Sequence, residues 1–395
     1  MKILQIVPSI SLIYGGPSQM ALSLSRSLAA AGVKITLLTT NSNGDIGQAP
    51  LDVTLGVPIA QDGYEIIYFP CSPFRRYKFS LGLLQWLARH AQEYDLAHIH
   101  ALFSPVSTAS ATVARFSKLP YLLRPLGTLD PADLQKKKVL KQLYGQWLER
   151  PNLAQAAAVH FTTGQEAIIS ERFGAVTQDV IVPLGIDLPA NLPEKGASRQ
   201  ALGIAPDVPL VLFLSRIDIK KGLELLIAAL ENLLKQGLAF HFVLAGANPQ
   251  DPLYEQQISD RIAQSALAAR TTVTGFVKGD RKWGLLQDAD VFVLPSAYEN
   301  FGIAVAEAMA VRTPVVISRE VYISNEIEAS AAGWVCDRDL DSLVASLKDC
   351  LASASTRAQR GENARQLVLR EYQWPAIATK MIQVYQDCLD RTAAT

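Results

Sequence analysis

The stretch Asp290–Ala310 reads "DVFVLPSAYENFGIAVAEAMA". Val291–Leu294 is a short, continuous apolar run, the pattern of a strand buried on both faces. Pro295 ends it, and a second segment rich in alanine follows, the pattern of a helix. Two acids lie in the second part, Glu299 and Glu307, eight residues apart, with Gly302 between them. Glu299 falls before the helix proper. Residues 300–303 form the first turn, whose backbone N–H groups have no partner within the helix. Glu307 falls inside the helix among Ala304, Ala306 and Ala308, which leave room for a ligand. A carboxylate there accepts hydrogen bonds from two vicinal hydroxyls, such as those of a ribose. Glu299 is placed to do the same for a sugar. The alternative reading of each acid is a solvated or ion-paired side chain.

The same strand-to-helix junction recurs along the chain. The first half carries "KILQIVPS", "KITLLTT", "EIIYFP", "LAHIHA", "YLLRPLG", "AAVHFTTG" and "DVIVPLG". The second half carries "VPLVLFLS", "FHFVLAG", "TTVTGFV", "DVFVLPS", "TPVVIS" and "GWVCD". Such runs, separated by amphipathic segments, predict parallel strands in βαβ units. The pattern restarts after a proline-rich stretch with no strand signal. The expected organisation is an N-terminal Rossmann-like domain over 1–190, a linker over 191–207, and a C-terminal Rossmann-like domain over 208–372. The segment 373–395 is expected as a helix crossing back to the first domain. The fold class is α/β, two doubly wound domains facing across a cleft, with ligands at the carboxyl ends of the strands.

Bulk properties narrow the function. The 395 residues are 49% hydrophobic and 19% charged, which suits packed globular domains. Zero formal net charge gives no global field to attract nucleic acid. The four cysteines show no C-x-x-C spacing, which fits reduced thiols and a cytoplasmic location. The beginning "MKILQIVPSI" lacks the long apolar region of a signal peptide.

Three other sites carry chemistry. Gly15-Gly16 follows the first strand and lets backbone approach a phosphate at a helix N-terminus; the fingerprint G-x-G-x-x-G of dinucleotide enzymes is absent. In "SRIDIKKG", Arg216 and Lys221 follow the first strand of the second half, five residues apart. Two cations at a strand's carboxyl end suit a diphosphate whose negative charge grows as it departs. In "HIHALFSP", His98 and His100 share one face of a strand, and His100 lies nearer its carboxyl end. His100 is a candidate for orienting an acceptor hydroxyl or the sugar, against a structural role.

Three stretches receive a plainer or a peripheral reading. Asp339-x-Asp341 has the look of a metal-binding D-x-D, but it opens an apolar-periodic helix, so an N-cap is expected and no metal site. Thr163 and Glu166 have the spacing of a capping box. The stretch 134–150 combines Lys136, Lys137, Lys138 and Lys141 with Leu140, Leu143, Trp147 and Leu148 at near-helical spacing. It fits either a surface helix packed on the domain or one docked on an anionic membrane.

Taken together, Glu299-x7-Glu307 and "SRIDIKKG" resemble the E-x7-E and G-R-x4-K-G motifs of retaining GT-B glycosyltransferases of family 4 type. "IVPLGID", "VTGFV" and "GGPSQMALSLSRSLAAAG" also match, in order along nearly the whole chain. The resemblance implies a nucleotide-diphosphate sugar donor (UDP-, GDP- or ADP-linked), retention at the anomeric carbon, and no metal or other cofactor. It implies that Arg216 and Lys221 hold the diphosphate, Glu307 the ribose and Glu299 the donor sugar. It also implies sugar or phosphate contacts from the backbone of Phe301, Gly302 and Ile303, and a phosphate contact from Gly16. Glu299 and His100 are the expected catalytic residues. The sequence departs from the family at Leu126, where many relatives carry His or Arg before the glycine. It departs again at Arg312, where the family has a helix-capping glycine and a left-handed arginine costs about 1 kcal/mol.

The resulting expectation is a glycosyltransferase acting on a sugar or lipid-linked acceptor in cell-surface polysaccharide or glycolipid assembly. It would be cytoplasmic, or peripheral at the inner membrane surface, and would not bind nucleic acid. The rival readings are a sugar phosphorylase or epimerase on the same fold, and a non-catalytic nucleotide-sugar-binding module.

Overall fold

The computed structural model describes residues 1–11, 13, 15–44, 49–72, 78–135 and 137–394. The chain forms two compact units, Met1–Gly185 with Gln373–Thr395, and Ile186–Tyr372.

The first unit is built on strands β1 (Lys2–Val7), β2 (Lys34–Thr40), β3 (Pro58–Gln61), β4 (Tyr64–Phe69), β5 (Leu96–His100), β6 (Tyr121–Arg124), β7 (Ala158–Phe161) and β8 (Asp179–Ile181). Their order is β3-β4-β2-β1-β5-β6-β7-β8. Every pairing is parallel except β3 with β4. The central strands are buried almost throughout, as helices on both faces require. β3 carries no apolar run and is largely exposed. Its signal is the turn Asp62-Gly63, with φ of 47° and 86°, the left-handed pair that closes a two-residue hairpin. The strand order reverses between β1 and β5, and Gly16 and His100 lie at the carboxyl ends of those two strands.

The second unit is built on β9 (Leu210–Leu214), β10 (His241–Ala245), β11 (Thr271–Gly275), β12 (Val291–Leu294), β13 (Val315–Ser318) and β14 (Gly333–Cys336). Its order is β11-β10-β9-β12-β13-β14, parallel throughout. Here the reversal falls between β9 and β12. Arg216 and Lys221 follow β9, and Glu299 follows β12, so the candidate residues gather where such sheets bind ligands.

One boundary differs from expectation. Residues 191–207 are packed into the second unit rather than left as a linker. The amides of Gly196 and Ser198 donate to the carboxylate of Asp288 at 2.6 and 2.8 Å. Arg199 donates to the carbonyls of Asp288 and Val208, both at 2.9 Å, and pairs with Asp290. These contacts hold the short helix Ala197–Ala201 in place. The helix Trp374–Ala394 belongs to the first unit. There the Ser27 hydroxyl donates to the Trp374 carbonyl at 3.0 Å, and a Cβ at Gly185 would lie 2.2 Å from the Trp374 ring.

Arg312 does adopt a left-handed φ of 67° after the helix Ile303–Ala310. Asp339 is the N-cap of the helix Leu340–Ala352, accepting from the Ser342 amide at 2.8 Å. Thr163 caps the helix Gly164–Ile169. The Glu166 carboxylate reaches one residue farther back than a capping box requires, to the amide and hydroxyl of Thr162.

Candidate active site

In the second unit, β9 ends at Leu214 and leads through Arg216 to a single 3-10 turn, Ile219–Lys221. Asp218 caps that turn, accepting from the Lys220 amide at 3.1 Å. Gly222 follows with a φ of 72°, and a Cβ there would lie 2.0 Å from the Pro295 carbonyl oxygen. The glycine of "KKG" therefore lets the end of β9 lie against the end of β12. The Ala297 amide donates to the Lys220 carbonyl at 2.6 Å across the same junction.

That approach brings the motif cation to the motif acid. Lys221 is buried, and its Nζ forms an ion pair with Glu299 Oε2 across 78 residues of sequence. Glu299 is fixed through its backbone: its amide donates to the Glu320 carbonyl, and its carbonyl accepts from the Tyr322 amide, both at 2.9 Å. Burial opposes the charge on Glu299, but Lys221, Lys220 and Arg216 outweigh it and hold its carboxyl below the ordinary carboxylate range. Burial lowers the Lys220 ammonium, with Lys221 acting in the same direction. Arg216 is half-exposed and lies 3.6 Å from Asp218.

Gly302, at φ 76° and ψ 63°, turns the chain into the helix Ile303–Ala310. A Cβ there would come within 3.2 Å of Val321 and 3.5 Å of the Glu299 side chain. Phe301 is buried, with its ring 5.0 Å from that of Tyr372 at a steep angle. Its side chain therefore serves the core, and only its backbone is available to a ligand. Glu307 is buried among small residues, as the sequence suggests, but its carboxylate is not alone. Lys282, in the helix Gly279–Asp288, donates from Nζ to Glu307 Oε1 at 2.7 Å. Burial raises the Glu307 carboxyl, Lys282 opposes the rise, and Asp187 adds to it. The sequence carries no local signal for Lys282, a lysine 25 residues upstream in another helix.

In the first unit, Gly15, at φ 70°, precedes Gly16, the first residue of the helix Gly16–Ala30. His100 ends β5, fully buried. Its Nε2 lies 2.7 Å from Gln5 Oε1, and its Nδ1 has no partner among the described residues. His100 sits opposite Arg124 in the β5–β6 register. Arg124 is fully buried and donates through Nη1 to the Met20 sulfur at 2.5 Å. Its Nε and Nη2 have no partner among the described residues. Leu126 and Gly127 follow β6 with φ of 56° and 78°. Among the described residues, no three His, Cys, Asp or Glu side chains gather as a metal site.

Residues 194–367 match the family model of Glycosyl transferases group 1, and residues 15–185 match that of the Glycosyl transferase 4-like domain. The chain is a GT-B glycosyltransferase of family 4 type. An uncharacterized glycosyltransferase of Methanocaldococcus jannaschii is 32% identical over 211 residues, and the match spans about half the length of either protein. A D-inositol 3-phosphate glycosyltransferase of Xylanimonas cellulosilytica is 26% identical over 401 residues, covering 96% of this chain and 93% of that one. Among solved structures, the sucrose-phosphate synthase of Thermosynechococcus elongatus superposes with a TM-score of 0.79 at 23% identity, over 99% of this chain and all of its own. HepE of Anabaena, solved with UDP and glucose, gives 0.76 at 20% identity, over 98% of this chain. These two likenesses establish that the glycosyltransferase has the GT-B fold, with two parallel-sheet α/β domains.

Proposed function

We propose that this glycosyltransferase moves a sugar from a nucleotide-diphosphate sugar, UDP-, GDP- or ADP-linked, to a hydroxyl acceptor with retention at the anomeric carbon. The observation that carries this reading is the ion pair of Lys221 with Glu299. In the structure these groups satisfy each other. A diphosphate engaging Lys221 frees the Glu299 carboxylate to accept hydroxyls of the sugar next to it. Arg216 adds a second cation, and Glu307 takes the ribose hydroxyls. The backbone N–H groups of Phe301, Gly302 and Ile303 contact sugar or phosphate, Gly16 contacts phosphate, and His100 orients a hydroxyl.

In this reading Lys221 and Arg216 stabilise charge that grows on the leaving diphosphate, the role a metal plays elsewhere. The departing phosphate oxygen accepts the proton of the attacking hydroxyl on the same face of the sugar. No protein nucleophile is needed.

The acceptor is proposed to be a sugar or lipid-linked glycan in cell-surface polysaccharide or glycolipid assembly, met at the inner membrane surface. Support comes from the first unit, where Val139, Leu140, Leu143, Trp147 and Leu148 are all exposed, Trp147 by 77%. They lie on the helical run formed by Lys138–Tyr144 and Gly145–Glu149. Lys137 and Lys138 are exposed beside them. Lys141 is tied to Asp133 at 2.6 Å, and Lys136 lies outside the described residues. No described helix is long and apolar enough to cross a membrane.

The test is a thermal-shift screen against UDP-, GDP- and ADP-sugars, followed by proton NMR of the product's anomeric centre. An inverted anomer would overturn retention. Isotope exchange between sugar phosphate and free phosphate would favour a phosphorylase. Binding with neither transfer nor donor hydrolysis would favour a non-catalytic module.

A further inference from the structure

His100 stands at one end of a buried hydrogen-bonded chain whose direction is fixed at the other end. The Val182 carbonyl can only accept, so His160 Nε2, 2.8 Å away, carries a proton and donates to it. Burial and the neighbouring Arg124 push the His160 imidazole down to about 3, so the ring is neutral and its Nδ1 is an acceptor. His98 Nε2, 3.2 Å from that Nδ1, must then be the donor. His98 is neutral as well, held well below the ordinary range by burial, His100, His160 and Arg124. Its Nδ1 is therefore a lone pair, and the Tyr385 hydroxyl donates to it at 2.9 Å.

That commits the single phenol proton, so Gln5 must meet the Tyr385 oxygen with its amide nitrogen, at 3.0 Å. The Gln5 carbonyl oxygen then faces His100, and His100 Nε2 must donate to it at 2.7 Å. With His160 and His98 neutral, every tautomer and the amide orientation follow from one backbone carbonyl. The chain draws on β1, β5, β7 and the C-terminal helix, all within the first unit.

We infer that Gln5, Tyr385, His98 and His160 are positioning residues that lock His100 as its Nε2–H tautomer, leaving Nδ1 as a bare acceptor for the hydroxyl of a sugar substrate. This rests on the reading of His100 as the residue that orients a hydroxyl. Among the described residues Nδ1 has no partner, and a buried acceptor without one is costly enough to need a reason. A lone pair in this place accepts from a hydroxyl, and the buried Arg124 opposite His100 leaves Nε and Nη2 to donate to the same substrate group.

The first experiment is long-range proton–nitrogen NMR on the full chain with 15N-labelled histidine, assigned by single His→Gln variants. His98, His100 and His160 are each expected as the Nε2–H tautomer at neutral pH. An Nδ1–H signal for His100 overturns the relay without recourse to activity. The second is Tyr385→Phe, which removes the oxygen bonded to both His98 and Gln5. It is expected to mix the His100 tautomers and to lower kcat on the order of 10²-fold with donor KM little changed, the consequence of a misplaced group. Gln5→Met, nearly the same size, should do the same if the phenylalanine variant folds poorly. Unchanged kcat and an unchanged His100 signal in either folded variant overturn the positioning role. If the wild-type tautomers are as stated but His100→Ala keeps full turnover, the reading of His100 itself fails, and the positioning role with it.

Discussion

Lys282 Nζ lies 2.7 Å from Glu307 Oε1, joining the helix Gly279–Asp288 to the helix Ile303–Ala310. Both side chains are largely buried, 17% and 11% exposed. The acid assigned to the ribose therefore has a cation partner on a neighbouring element, which opposes the upward push of burial on its carboxyl. Lys282→Met keeps the aliphatic stem but leaves a buried carboxylate without its cation, a change that costs about 3 kcal/mol or more. Chemical denaturation should show that loss. Glu307→Gln in the same background should recover much of it, because the buried charge is then gone. Lys282→Met with wild-type stability would mean that the pair contributes nothing.

Glu307→Ala removes the charged acceptor offered to the ribose hydroxyls. Nucleotide affinity measured by calorimetry should fall by about 1.5–3 kcal/mol, the range for hydrogen bonds to a charged group. Unchanged affinity would take Glu307 out of the ribose site.

Glu149 gives the first unit a pH dependence with a definite sign. Burial raises its carboxyl to about 7, although the Phe103 amide and the Thr108 hydroxyl, at 2.7 and 2.8 Å, work the other way. The unfolded chain releases this proton near 4.5, before the folded chain does. The contribution is fully present below that value and is lost as pH rises towards 7. At about 1.4 kcal/mol per pH unit, the loss approaches roughly 3.5 kcal/mol as an upper bound. Glu149→Gln should flatten stability against pH between 4.5 and 7, as read by urea denaturation at several pH values. An unchanged slope would show that Glu149 titrates normally.

Much of this was legible in the sequence, and the omissions share a physical cause. Thirteen apolar runs correspond to the thirteen parallel strands; the central ones are buried on both faces and so must be written as continuous apolar runs, while β8 and β11 at the sheet edges are not. β3 was missed because an exposed edge strand has no such requirement; only Asp62-Gly63 marked it. Arg312 was legible as a left-handed residue from its place after a helix. The anchoring of 191–207 was not, since Asp288 holds Gly196 from 92 residues away. The partners of the site residues were hidden in the same way. Gln5 and Tyr385 lie 380 positions apart and meet only once β1 and the last helix are in place.

The exposed stripe Val139, Leu140, Leu143, Trp147 and Leu148 should bind vesicles containing an anionic lipid. Trp147→Ser with Leu143→Ser removes much of the apolar contact and should abolish co-sedimentation. Lys137→Gln with Lys138→Gln should weaken it mainly at low salt, because surface charge is screened within about 10 Å at 0.1 M. Turnover on a soluble acceptor should be unaffected by either pair. Binding of wild type to neutral and anionic vesicles alike would remove the electrostatic part, and no binding to either would return the stripe to an ordinary surface.

Arg216 and Lys221 differ in a way that makes the diphosphate assignment separable from folding. Lys221 is buried against Glu299, whereas Arg216 is half-exposed and only 3.6 Å from Asp218. Arg216→Ala should leave stability nearly unchanged, since exposed pairs contribute little. Lys221→Ala should destabilise the chain, because Glu299 loses its buried cation. Both should lower turnover by about 10²–10³ if their main work is on charge that develops as the diphosphate leaves, with smaller effects on donor affinity. Lys221→Ala with Glu299→Gln removes both charges together. It should regain stability, which isolates the structural part of the Lys221→Ala effect; its turnover stays low, since Glu299 is itself assigned to the donor sugar. Because both cations act on one diphosphate, the double alanine variant should fall short of the product of the single losses. The measurements are kcat and donor affinity for the two single variants and the double, with urea denaturation of each. Wild-type turnover at saturating donor in either alanine variant would make that residue a bystander, and the diphosphate site would have to be rebuilt without it.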